Sequence, residues 1–275
     1  MKNPILKNLS RYLAVFKISF HHEFAYRVSF VMWRVRNIIQ IFVVFFLWDT
    51  VFSTQGRVIF GYDRSRMLTY VFGLIIVRAL VLSTKVVDVA GHVSRGELSN
   101  YLVRPINYFK YWFTRDLSSK FLNISFAGVE TLILYIILRP PFFIQTNPIS
   151  IVGFLVSIVL AMLIFFLLLF IVSSVPFWAP EMGWGAHFLV TVIVVEFLSG
   201  ALFPLDILPQ SLQSILSYTP FPYLIFFPLQ VYLGKVSTIV LLRGILVSSV
   251  WVILLWFAMK SVWRRGLKAY QAYGR

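Results

Sequence analysis

From Ile151 to Ser174 the chain carries no charged side chain, and nothing else in it limits the fold so severely. A helix of about 20 apolar residues crosses the roughly 30 Å hydrocarbon layer of a bilayer. At that depth the backbone finds no water, so a spanning segment must satisfy its own N–H and C=O groups, which selects helix. Comparable stretches recur, and the sequence reads as six spans: Val28–Phe52, Met67–Thr84, Leu117–Leu138, Ile149–Val175, Ala186–Leu202 and Ser237–Lys260. Only 13% of the 275 residues are charged and 59% are hydrophobic, whereas ordinary globular chains carry about 25% charged residues. An all-α polytopic membrane protein is expected, with residues 1–275 forming one transmembrane domain.

Two elements fall outside this pattern. Residues 5–25 place Leu9, Leu13, Phe16, Phe20 and Phe24 on one stripe, with basic residues largely opposite. Such a helix is expected to lie in the membrane interface. It lacks the unbroken apolar core of a signal peptide. The second element, residues 201–234, is too apolar for an ordinary loop and too broken for a span. Pro204, Pro209, Pro220, Pro222 and Pro228 interrupt it, and each removes a helix donor and clashes with the preceding turn. A hairpin of short helices that dips into the membrane and returns fits both properties. Pro204, Leu205, Pro209, Pro220, Phe221 and Pro228 are its expected gate residues.

The net charge of +15 does not point to nucleic acid, because the basic residues flank the spans, where anionic lipid and the positive-inside rule account for them. Eighteen Lys and Arg residues fall on the face holding both termini and residues 85–120, against five on the other face. Both termini and that loop are therefore expected in the cytoplasm, and the proline-rich hairpin outside. Arg34 and Arg36, near the inner end of the first span, have stems long enough to snorkel toward headgroups.

Enzyme signatures are poor. Cysteine is absent, and His21, His22, His92 and His187 show no metal-ligand spacing. Gly91 and Gly96 are spaced like the glycines of a P-loop, but Glu97-Leu98 follows where Lys-Ser/Thr is required to hold phosphate and magnesium. No metal or cofactor is expected on the chain. Arg78, Glu130 and Glu196 lie within spans, where each charge costs at least about 2.5–3.5 kcal/mol on insertion scales. Glu196 could attract a cationic or polar substrate, or pair with Arg78 or another helix. Arg78 and Glu130, on adjacent spans, are expected to neutralise one another.

Residues 85–116 mix charges with apolar knobs, including Leu98, Tyr101, Leu102 and Ile106, and Pro105 predicts a helix end at Arg104. Short helices of this kind suit a groove on another protein, or simply touch lipid headgroups. The pattern Gly96-Glu97-Leu98, Tyr101-Leu102, Arg104-Pro105-Ile106 resembles bacterial ABC-2-type transporter permeases. So do Ser199-Gly200, Phe203-Pro204-Leu205, Leu208-Pro209, Pro220-Phe221, Pro228 and Tyr232-Leu233-Gly234, and the opening RYLAVFKISFHHEFAYRVSF is similar to one subfamily of exporters. The resemblance implies a six-helix half-transporter in the bacterial cytoplasmic (inner) membrane, paired with a second permease, identical or sister. It also implies separate cytoplasmic ATPase subunits that use ATP and Mg. Gly96, Glu97, Leu98, Tyr101, Leu102, Arg104, Pro105 and Ile106 would then form the coupling element, and viologen-like cations or other drugs the cargo. The competing expectations are a non-transporting membrane scaffold and an ion-coupled carrier.

Overall fold

A computed structural model describes residues 4–25, 27–54 and 58–270, and side chains within them except those of 4–9, 23–25, 27–30 and 33. Among the described residues the chain is helical, and the one strand-like feature is an isolated bridge between Ile59 and Tyr62. Helix α1 spans Pro4–Ala25, α2 Arg27–Val51, α3 Arg64–Val81, α4 Val87–Ser94, α5 Ser99–Leu102, α6 Tyr108–Leu138 and α7 Pro148–Val172. Then follow α8 (Gly183–Phe188), a π-helical segment Leu189–Val195, α9 (Glu196–Leu198), α10 (Gln210–Ser217), α11 (Phe226–Tyr232) and α12 (Thr238–Ala269).

The helix ends follow from local chemistry. Asp63, Asn107 and Asn147 cap α3, α6 and α7, each side chain accepting a backbone N–H of the first turn at 2.8, 3.0 and 2.9 Å. These bonds satisfy donors that the helix itself leaves orphaned. At the end of α6, Arg139 adopts φ 44° ahead of Pro140 and Pro141. Lys120 of α6 is buried and donates to Val81 O and Ser83 O, so an ammonium covers the negative end of α3.

Among the described residues, four helical stretches are long and apolar enough to cross a membrane: Tyr108–Leu138, Pro148–Phe177, Pro180–Leu198 and Thr238–Ala269. They make the chain a multi-pass membrane protein. Two of the six expected spans, α2 and α3, are not in that set. The reason for α3 is plain: its 18 residues include Arg64, Arg66 and Arg78, so composition alone does not mark it as apolar. Its surroundings do. Met67, Leu68, Val71, Phe72, Leu74 and Val77 are all at most 1% exposed, so α3 is wrapped by protein on nearly every side.

Helix α7 forms the centre, packed against α12, α11 and α3. Small residues permit the close approaches, as is usual where helices meet inside a membrane. At Gly244 of α12, an added Cβ would stand 2.1 Å from Phe227 Cζ of α11. Aromatic rings knit the other end: Tyr108 stacks on Trp263 at 5.2 Å, and Phe109 meets Trp256 edge-on at 5.0 Å. Helix α1 lies along α6, with Ser118 Oγ donating to Phe16 O at 3.1 Å and Phe16 and Phe20 against Phe121. Leu13 of the expected stripe is 53% exposed, and the side chains of Leu9 and Phe24 lie outside the described residues.

Residues 201–234 include two short helices, α10 and α11, with Pro204, Pro209, Pro220 and Pro222 outside them and Pro228 in the first turn of α11. Helix α10 is amphipathic, exposing Leu212, Ile215 and Tyr218, whereas α11 buries Phe227, Leu229 and Val231. Tyr218 O accepts from Trp251 Nε1 at 3.2 Å. Trp251 stands about 20 Å along α12 from Thr238 at 1.5 Å per residue, so the turn after α10 reaches well down that helix. Helix α11 then climbs back, with Phe227 at Gly244 and Val231 beside Gly153, where Leu241 also packs.

The Gly244–Phe227 contact is a direct test of this packing. Gly244→Ala is expected to destabilise by about 1–3 kcal/mol, the usual cost of overpacking. Gly128→Ala, whose Cβ meets nothing within 4 Å, is expected to be neutral or stabilising. Thermal unfolding in detergent checks both, and equal midpoints for Gly244→Ala and the parent would contradict the packing.

Candidate functional site

A cavity of about 750 Å³ opens between α2, α3, α6 and the Gly183–Leu198 segment. All three charges singled out within spans, Arg78, Glu130 and Glu196, line it, together with Arg34, Arg36 and Lys85. Their pairing corrects the sequence expectation: Glu130 does not neutralise Arg78. Arg34 of α2 meets Glu130 of α6 at 3.1 Å and also donates to Asn123 O and Asn123 Oδ1 at 2.9 and 2.8 Å. Arg78 of α3 pairs with Glu196 of α9. Arg34 is only 9% exposed, so its role is to join α2 to α6 rather than to snorkel outward.

Side chains at 34 and 130, and at 78 and 196, are 11–17% exposed. Attraction between charges is strong there because water screens it little, and breaking one partner of such a pair costs about 3–5 kcal/mol. Preceding Glu196, the π-helical segment Leu189–Val195 adds an extra residue per turn. It sets the direction in which the carboxylate leaves the helix. Glu196 Oε2 and His187 Nδ1, both buried, have no hydrogen-bond partner.

The loop of residues 85–116 is a folded platform at the C-terminal end of α3. Gly96 takes φ 76°, a left-handed conformation open to glycine, and turns the chain so that Leu98 is fully buried and its N–H reaches His92 O at 3.0 Å. His92 stacks on Tyr101 at 4.5 Å and lies 3.3 Å from Tyr108 Oη. Arg115 covers Trp112 at 4.7 Å. Glu97, half-buried, is held by Arg95 at 2.9 Å, and Ile106 is half-buried too. Beyond this scaffold Leu102, Val103, Arg104 and Pro105 project into solvent, with Val103 84% exposed. The eight residues of the motif thus divide into supports, with Leu98 buried and Gly96, Glu97, Tyr101 and Ile106 half-buried, and an exposed tip of Leu102, Arg104 and Pro105.

At the opposite end lies a polar cluster that sequence reasoning missed. Asp206 accepts from Tyr62 Oη at 3.1 Å, Gln230 Nε2 at 3.1 Å and Lys235 Nζ at 2.9 Å. Tyr70 Oη donates to Gly200 O at 2.6 Å. These bonds tie the start and end of residues 201–234 to the approach to α3. Of the expected gate residues, Pro204 and Leu205 immediately precede Asp206, Phe221 lies at the turn between α10 and α11, and Pro228 is buried within α11. Pro209 precedes α10 and Pro220 precedes Phe221. No sequence signal pairs Asp206 with Lys235 beyond their places at the two ends of the hairpin.

Two expectations follow. Arg78→Ala or Glu196→Ala leaves a buried charge unmatched and is expected to destabilise by about 3–5 kcal/mol, while replacing the pair by Met and Leu recovers most of that loss. Denaturation of the three variants in detergent measures the difference, and additive losses would contradict the pairing. His92 lies outside the spans, and burial pushes its imidazole below the usual value of about 6.5, with Arg115 and Arg95 acting in the same direction and Glu97 and Asp88 opposing. The unfolded chain therefore binds a proton more readily than the folded loop. Loop stability is expected to be full above about pH 6.5 and to fall as pH drops below it. Hydrogen exchange at Leu98 N–H at pH 7.5 and 5.5 reads this effect.

No curated protein sequence matches the chain. A family described as ABC-2 family transporter protein does match, over residues 38–274. That range includes the Arg78–Glu196 pair, the folded platform and the proline-broken hairpin, and all of the cavity wall except Arg34, Arg36 and Asn37. The chain belongs to the ABC-2 family of transporter proteins.

Proposed function

We propose that the chain is the permease subunit of an ATP-driven exporter. It is a single transmembrane domain that forms the translocation path with a second permease, identical or sister, and is driven by separate cytoplasmic ATPase subunits that use ATP and Mg. The observation that carries this reading is the exposed tip Leu102–Pro105 on a rigid aromatic platform, in a chain of transporter family. A conformational change is transmitted only by contacts that differ between states. The tip presents such a surface, and the platform carries force from it into α6 and, through Lys120, into α3.

Six spans are proposed, with α2 and α3 as the first two. The burial of α3 and the ion pairs of Arg34 and Arg78 support this, because a charge matched inside the bundle avoids most of its cost in hydrocarbon. The bias of basic residues toward one face supports both termini and the platform being on the cytoplasmic side of a bacterial inner membrane, with α1 at the interface. The 201–234 hairpin is a re-entrant element on the outer side and serves as the exit gate, held by Asp206. A viologen-like or other drug cation as cargo gains no support from Glu196, whose charge is matched by Arg78.

The coupling role is tested on the purified transporter reconstituted with its ATPase. Val103→Asp with Arg104→Glu changes only exposed side chains, so stability is expected to be unchanged. Substrate-stimulated ATP hydrolysis is expected to fall by about tenfold or more, the effect of losing an interface hot spot. Full stimulated hydrolysis in this variant would refute the coupling assignment. Transport that persists after ATP depletion would favour an ion-coupled carrier instead.

A further inference from the structure

One wall of the cavity is a helix whose lining repeats with a period that an α-helix does not have. Trp184, Phe188, Val192 and Glu196 all line the cavity, and so do His187 and Thr191. Both series step by four residues. An α-helix turns about 100° per residue, so each step of four would carry the next side chain about 40° further round, and Glu196 would end about a third of a turn from Trp184. The π-helical segment Leu189–Val195 removes that drift by holding one more residue than its α form.

Both ends of the segment are anchored. Helix α8, just before it, sits on the platform: a Cβ added at Gly183 would stand 3.6 Å from Ala90 Cβ of α4 and 3.1 Å from Pro176 Cγ. Just after it, Ser199 O accepts from Phe226 N at 2.9 Å and Gly200 O accepts from Tyr70 Oη at 2.6 Å. These bonds tie the helix end to the start of α11 and to α3. Along the same stretch, His187 Nδ1, Glu196 Oε2 and Ser199 Oγ are buried without a hydrogen-bond partner. Such groups are few in native structures, and three of them within residues 187–199 leave this register incompletely satisfied.

We propose that Leu189–Val195 is a register switch between the platform and the hairpin. Winding it from π to α passes its extra residue toward Ser199. Every residue after the segment then advances by one position, about 1.5 Å along the axis and about 100° around it. Val195 takes the place of Glu196 opposite Arg78, and Glu196 turns off the cavity wall. Helix shifts of about 1–2 Å are a recurrent means of switching. The advance bears on Ser199 and Gly200, whose carbonyls hold α11 and Tyr70. Pairing with Arg78 favours the π register, and displacement of α8 by the platform favours the α register, so both sites bias one two-state element. Only the source of that displacement rests on the exporter reading; the two registers belong to the chain alone.

The test moves the carboxylate by one position. Glu196→Val alone leaves Arg78 unmatched and is expected to lower the unfolding midpoint in detergent by roughly 6–20 °C. Val195→Glu combined with Glu196→Val is expected to recover most of that shift, because the segment winds to α and brings residue 195 to Arg78. Deleting Val192 takes out the extra residue and leaves both anchors in place, so the deletion alone is expected to fold with a midpoint within about 3 °C of the parent. In the deletion background the exchange of residues 195 and 196 is expected to bring no recovery, since no residue remains to be passed on. Equal recovery in both backgrounds would mean that residue 195 reaches Arg78 without a change of register, and would overturn the inference. So would no recovery in the full-length chain, or a deletion chain that does not fold. Every arm is read on the permease without its ATPase, so these outcomes are independent of the ATP-coupling test.

Discussion

Charge placed inside an apolar bundle must be matched within it, and the arrangement of the helices depends on how that is done here. Arg34 joins α2 to α6 through Glu130 and Asn123, and Arg78 joins α3 to α9 through Glu196. Removing either partner leaves an unpaired ion where solvation is poor, so the two pairs define which helices can be neighbours. They also form part of the cavity wall. Apolar packing alone has no such direction, since lipid chains compete for the same surfaces.

The two ends of the molecule are built differently. At the platform end, aromatic stacking and a fully buried Leu98 make a rigid seat for an exposed tip. At the hairpin end, Asp206 gathers three donors from Tyr62, Gln230 and Lys235. Hydrogen bonds to a carboxylate are stronger than neutral ones, and they release together if Asp206 moves. A stiff seat at one end and a polar latch at the other would suit the proposed passage of a movement across α3 and α6.

Much of the fold was legible in the sequence. The apolar runs foretold α7, α12 and the part of α6 from Leu117 onward, and the expected end of that span at Leu138 is the helix end, although α6 begins earlier, at Tyr108. The proline spacing in 201–234 anticipated two short helices. These features are local, and local chemistry decides them. What stayed hidden was long-range. Glu130 lies nearer in span order to Arg78 than to Arg34, yet it pairs with Arg34, because helix neighbours are set by packing rather than by order in the chain. The Asp206 latch joins residues separated by 24 to 144 positions, and no periodicity announces it. The π-helical turn before Glu196 likewise leaves no mark in a run of Leu, Val and Ile.

The account stands on α3 crossing the membrane with its charges matched, so that the platform and the 58–62 approach face opposite sides. The natural sequence has no cysteine, which permits a clean measurement. Val58 and Val103, 65% and 84% exposed, are replaced singly by cysteine and treated with a membrane-impermeant maleimide in right-side-out and inside-out vesicles. The account predicts that Val58→Cys reacts only from outside and Val103→Cys only from the cytoplasmic side. Reaction of both from the same side would contradict it.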